Sequence, residues 1–215
     1  MTSTWWAPGA RGWWVGVLFA IGSICFAVGA APRYVDAVGV STDGVTFFVG
    51  SLFFTSAAFL LCLEVTGGSP LDRGAAGVQL LGTLLFNLST YDAMRDHLSA
   101  TQANRLVWTP DTLGSICFLV ASGLAWFSVG RTLWSWRPRS LPWTIAALNL
   151  VGSIAFGVSA VASHVVPADD QLRNVTLMNL GTFVGALCFL AGALLLLPAR
   201  TASTDISTVT DGTGF

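Results

Sequence analysis

The sequence predicts an all-α fold: a polytopic membrane protein, a six-transmembrane-helix bundle built from repeated helices or hairpins. Three observations predict it. The 215 residues are 53% hydrophobic and only 10% charged, with a mean hydropathy of +0.70, whereas soluble domains carry about 25% charged residues. Prolines separate the apolar runs and none falls inside one, as expected if each run is a single helix. Six of the runs also carry nearly the same five residues.

Those stretches are Gly22-Ser23-Ile24-Cys25-Phe26, Gly50-Ser51-Leu52-Phe53-Phe54, Gly82-Thr83-Leu84-Leu85-Phe86, Gly114-Ser115-Ile116-Cys117-Phe118, Gly152-Ser153-Ile154-Ala155-Phe156 and Gly185-Ala186-Leu187-Cys188-Phe189. A small residue lies seven places after each Gly, at Gly29, Ala57, Ser89, Ala121, Ser159 and Gly192. On a helix, positions i, i+4 and i+7 share a face, so each run presents a Gly, a Phe and a second small residue in one stripe. Lipid supplies no hydrophobic drive between helices; close backbone approach, packing and hydrogen bonds replace it, and small residues permit that approach. The Ser or Thr beside each Gly can bond back to its own helix, and the Phe can fill the space above a partner's Gly. The stripes are read as helix-packing residues. The alternative is that they line a pore, but Gly and Phe make a seam more readily than a wet path.

Residues 1–12 form an N-terminal interfacial segment, and Trp5, Trp6, Trp13 and Trp14 suit the membrane–water boundary. The first span is 13–31. A cleaved signal peptide is its rival, rejected because this run carries the same motif as the other five. The second span is 45–65 and holds Glu64, the only Glu in the chain. After the turn Gly67-Gly68-Ser69-Pro70 the third span covers 74–91. No Gly or Pro stops a helix between Thr83 and Thr109, which is too long for one crossing of about 20 residues. An interfacial helix is therefore expected over 92–107. Thr109-Pro110 reads as a helix start, opening a fourth span at 112–134 that exits through Arg131, Trp134, Trp136, Arg137 and Arg139. The fifth span is 142–165 and the sixth 174–197, completing a membrane domain over 13–198; the tail 199–215, rich in Thr and Gly, is expected to be disordered and cytoplasmic.

Six spans place both termini on one side, with six Arg there and four opposite. The positive-inside tendency then puts the termini in the cytoplasm of a plasma membrane. The motif glycines are 28, 32, 32, 38 and 33 residues apart. Duplication of a hairpin fits this spacing, and so does an inverted three-plus-three division. All ten basic residues are Arg, which points to a GC-rich, bacterial genome. The recurrent G-S-x-x-F helices resemble those of YrhK-like bacterial membrane proteins, small two-helix domains with Gly-Ser and Phe in apolar segments. The resemblance would cover each hairpin. It implies no catalytic or binding residues.

Polar groups at membrane depth mark where chemistry could sit, because they are costly there. The third span holds Gln79, Asn87, Tyr91 and Asp92, and the fifth and sixth hold Asn149 and Asn179. These are the candidate solute-binding residues. Gln79 and Asn149 each stand three residues before a motif Gly, and so lie at similar depth. The plainer reading is interhelical hydrogen bonding. His97 and His164 fall on the outer side near Asp92, Asp96, Asp169 and Asp170, but without metal-site spacing. The four Cys lie in apolar runs, with no C-x-x-C, and read as reduced packing residues. No nucleophile elbow, phosphate loop or dinucleotide fingerprint appears, and no cofactor is expected. A net charge of −1 leaves no footprint for nucleic acid. The expected partners are the lipid bilayer and a second copy or another membrane protein. Three roles are compatible with this: a structural or accessory membrane protein, a small-solute or ion transporter or channel with its polar site on the third span, and, last, an enzyme using the outer His and Asp residues.

Overall fold

The computed structural model describes residues 5–130, 137–168 and 171–210. Arg131, Trp134 and Trp136 of the expected basic and aromatic exit, the pair Asp169 and Asp170, and the end of the tail lie outside them. Among the described residues the order is α1 (Arg11–Gly29), the short α2 (Tyr34–Val38), α3 (Val40–Glu64), α4 (Pro70–Asp92), α5 (Ala100–Ala103), a π-helical turn (Asn104–Trp108), α6 (Thr109–Gly130), α7 (Leu141–Ala162), a two-residue antiparallel ribbon (Val165–Val166 with Gln171–Leu172), and α8 (Val175–Thr210).

Five helices are long and apolar enough to cross a membrane: α1, α3, α7, the α8 segment Val175–Leu197, and the continuous helix Ala100–Gly130. The third expected span, α4, is a 23-residue helix but is not among them. Asp72, Arg73, Gln79, Asn87, Thr90 and Asp92 lower its hydropathy. Ser69 starts α4 with a capping box, accepting from the Asp72 backbone N–H while Asp72 receives the Ser69 N–H, and Pro70 occupies the first turn.

The expected interfacial helix over 92–107 is absent as such. Helix α4 ends at Asp92, and turns follow to a second capping box at Ser99 and Gln102. His97, at φ +61°, carries the chain through the turn. A cap, not Gly or Pro, makes this break. Nor is Thr109 an N-cap, since α6 continues a helix already begun at Ala100. The helix from Ala100 runs through Pro110, because the Thr109 N–H reaches back five residues to the Asn104 carbonyl. That π turn changes the register around a residue that lacks its own N–H.

The six long helices form a closed ring in chain order: α1 packs on α3, α3 on α4, α4 on α6, α6 on α7, α7 on α8, and α8 returns to α1. Three of these contacts join motif to motif. In each, the two motif glycines face one another across touching backbones. A Cβ on Gly22 would lie 3.0 Å from the Gly50 carbonyl, one on Gly82 3.1 Å from that of Gly114, and one on Gly152 3.1 Å from that of Gly185. Each Phe covers the partner's Gly. The Phe54 ring would meet that Gly22 Cβ at 2.7 Å, and Phe26 would meet one on Gly50 at 3.0 Å. Cys25, Cys117 and Cys188 press on Gly50, Gly82 and Gly152 in the same way, and all four Cys are free thiols.

The rings then meet on the axis. Phe26, Phe86 and Phe156, from α1, α4 and α7, form one triangle with centroids 5.9–6.4 Å apart. Phe54, Phe118 and Phe189, from α3, α6 and α8, form a second, 5.7–6.3 Å apart. The triangles are joined within hairpins at 5.4, 5.2 and 5.5 Å. The result is a six-Phe prism, with every pair in the range where aromatic contacts stabilise beyond simple burial. The third residue of each motif points outward: Ile24, Leu52, Leu84, Ile116, Ile154 and Leu187 are 43–52% exposed, as a lipid-facing surface requires. Trp13, expected at the boundary, instead turns inward, and its indole N–H donates to the Trp5 carbonyl at 2.8 Å.

A branched side chain at a facing glycine should force the two backbones apart. Gly22→Val is expected to cost about 1–3 kcal/mol, whereas Gly123→Ala, with nothing within 4 Å of the new methyl, should be neutral or slightly stabilising. Fluorescence-detected size exclusion after a heating series would separate the two. Equal melting of both variants would contradict the interlock.

Candidate functional site

On the side of the prism that carries the helix ends nearest the chain termini, all six long helices enclose a cavity of about 350 Å³. Its wall follows the motif register. Val15, Ala75 and Ile145 lie seven residues before the motif Gly of α1, α4 and α7. Phe19, Gln79 and Asn149 lie three residues before those same glycines, and Leu61, Ala125 and Leu196 lie eleven after those of α3, α6 and α8. Phe189 of the prism, Gly192 and Ala193 also line it.

Two of the sequence-predicted candidates therefore come together. Gln79 and Asn149 are both half-buried and both border this space, one from α4 and one from α7. The Asn149 amide lies against Gly192: a Cβ there would be 2.9 Å from Asn149 Oδ1. Asp72, just before the expected third span, sits at the rim of the cavity and accepts from Ser128 Oγ at 2.8 Å through one carboxylate oxygen and from Ser69 through the other. The hydroxyls of Ser128 and Ser69 hold its carboxyl below the ordinary range.

The other candidates are elsewhere. Asn87 Nδ2 donates to Thr55 Oγ1 at 2.9 Å, joining α4 to α3. Tyr91 is exposed and its ring leans on Phe48, centroids 5.7 Å apart. Asp92 pairs with Arg95 at 2.9 Å, and Asn179 is half-buried on α8. His97 is in the turn before α5, and His164 packs edge-on against Trp108 at 4.8 Å. Among the described residues no group of three or more His, Cys, Asp or Glu is placed to hold a metal ion.

Several other polar side chains join one helix to the next. Ser51 Oγ and Thr90 Oγ1 share a 3.0 Å hydrogen bond across α3 and α4. Ser153 bridges α7 to α6 through Ser122 Oγ at 2.7 Å and the Phe118 carbonyl at 3.2 Å. Ser159 joins α7 to α8 through Thr182 and the Met178 carbonyl, each at 2.8 Å. At the opposite end of the bundle Asn104 closes the ribbon, donating to and accepting from Val165, while the Trp108 indole donates to the Ala160 carbonyl.

No protein-family model, curated protein or solved structure matches the chain.

Interhelical hydrogen bonds in membranes average about 0.6 kcal/mol and reach about 1.7. Ser153→Ala, which removes two, should fall toward the upper part of that range, and Asn87→Leu toward the lower. Unfolding in a graded SDS–mixed micelle titration would measure both. A larger loss from Asn87→Leu than from Ser153→Ala would reverse the assignment.

Proposed function

We propose that the chain is a non-enzymatic, six-span protein of a bacterial plasma membrane, with both termini cytoplasmic and a structural or accessory role. The observation that carries this reading is the filled axis. Among Phe26, Ser51, Phe54, Phe86, Phe118 and Phe156 about 10 Å³ remains, the room of one water at most. Six Phe rings at that level favour a sealed bundle over a conducting path.

Counting α4 as the third crossing rests on packing. It supplies Gly82 and Phe86 to the ring on equal terms with the other five helices. Its polar side chains find partners there: Thr83 on the Leu80 carbonyl, Thr90 on that of Phe86, Asn87 on Thr55. The pairs α1–α3, α4–α6 and α7–α8 are read as three parallel repeats of one hairpin. In that form the resemblance to the two-helix YrhK-like proteins carries over.

A second reading, a small-solute transporter, is favoured by one observation, the meeting of Gln79 and Asn149 at the cavity.

Orientation and sealing are testable together. In a background with the native Cys replaced by Ala, an impermeant maleimide should label Asp96→Cys on intact cells. It should label Gly67→Cys only after permeabilisation. Labelling of both from outside would remove the six-span reading. Proteoliposomes should show no leak of potassium or small sugars, and a leak above that of empty liposomes would remove the sealed-bundle reading.

A further inference from the structure

We propose that the cavity beneath the Phe prism binds a small uncharged amphiphile, with an apolar body of one or two rings and a single hydrogen-bonding head. The inference deepens the solute reading in naming what the site would take, and requires no transport. About 350 Å³ falls within the range of small-molecule sites, which are mostly apolar with a few convergent polar groups. The wall has that character: Val15, Ile145 and Leu196 among its apolar members, and two carboxamides.

Three equivalent positions at one level carry the specificity. Where α4 and α7 place Gln79 and Asn149, α1 places Phe19. One aromatic side chain and two amides border the same space. Each carboxamide offers both donors and an acceptor, so the pair can satisfy a hydroxyl, carbonyl or amide without a counter-charge. Among the described residues no Arg or His borders the cavity, so an anion would find no counter-charge from them. Both carboxylate oxygens of Asp72 are already engaged by Ser128 and Ser69, which weakens the case for a cation. Small residues make the room: Ala75, Ala76 and Ala125 on the wall, with Gly192 leaving space for the Asn149 amide.

The test uses the full chain in lipid nanodiscs and a trifluoromethyl-diazirinyl benzyl alcohol as photolabel, with labelled peptides mapped by mass spectrometry. The expected result is saturable labelling of the cavity-lining parts of α4 and α8, competed by 2-naphthol and not by naphthalene-2-sulfonate. Gln79→Leu with Asn149→Leu should weaken competition by at least about tenfold, the scale of one to two lost hydrogen bonds. Ala125→Trp, which fills the cavity, should abolish the saturable component. Labelling that rises linearly with concentration and marks only lipid-facing residues such as Ile24 and Leu84 would overturn the site. So would indifference to Ala125→Trp. Equal competition by the sulfonate would overturn the uncharged class. The maleimide assay reports topology alone, so its failure and the failure of this site are separate results.

Discussion

The structure depends on backbone contact between facing glycines. In lipid, two helices gain little by hiding leucines from a solvent that is itself apolar. What remains is dispersion between atoms that can come close, and it falls off steeply with separation. At the pairs Gly22–Gly50, Gly82–Gly114 and Gly152–Gly185 an added Cβ would meet the partner's carbonyl oxygen at 3.0–3.1 Å, so only glycine allows this approach. Much else follows from it. Helices this close leave a hollow one turn along, and the partner's Phe fills it. The same closeness tilts each Phe toward the axis, so six local interlocks become one prism.

Polar side chains then fix which hairpin lies beside which. Two of the three seams between hairpins carry a hydroxyl pair at matching motif positions: Ser51 with Thr90, and Ser153 with Ser122. The third, between α8 and α1, has Ala186 and Ala30 at those positions. Ser23 is buried in α1 with its hydroxyl unpartnered among the described residues. The seam that joins the first and last helices is thus held by packing, with Gly16 under Ala193 and Leu197, whereas the other two are also held by directional bonds.

The stripe of Gly, Phe and small residue was legible because it is a local fact about one helix. Its face, its small-residue spacing and the outward third residue all follow from a period of 3.6. The shared depth of Gln79 and Asn149 was legible for the same reason. The cavity was not, because it exists only once six helices set a radius and Ala75, Ala76, Ala125 and Gly192 fail to fill it. Hydropathy leaves α4 outside the five candidate spans. Averaging over its length counts Asn87 and Thr90 as costs, although Asn87 Nδ2 finds Thr55 on α3 and Thr90 donates to the Phe86 carbonyl of its own helix. Ser99 to Gln102 did carry a readable signal, a capping box, and the continuous polar run around it obscured that signal.

The ring also bears on how such a chain could arise. Helices in chain order around a ring alternate in direction. A threefold rotation carries α1 and α3 onto α4 and α6 with directions preserved, as the matched Phe triangles and the three matched sets of cavity residues reflect. Inverted halves would have to carry α1 onto α6, α3 onto α7 and α4 onto α8 while reversing every helix. Half a turn around the ring combined with that reversal is an inversion, which no rotation of a chiral chain can perform. The geometry therefore favours three hairpins over two inverted halves. It also separates packing from specificity. Where the three units are alike, at Gly and Phe, they hold the bundle together. They differ at one equivalent level, where Phe19 packs edge-on against Phe54 while Gln79 and Asn149 border the cavity, and that is the level at which a ligand could be told from its competitors.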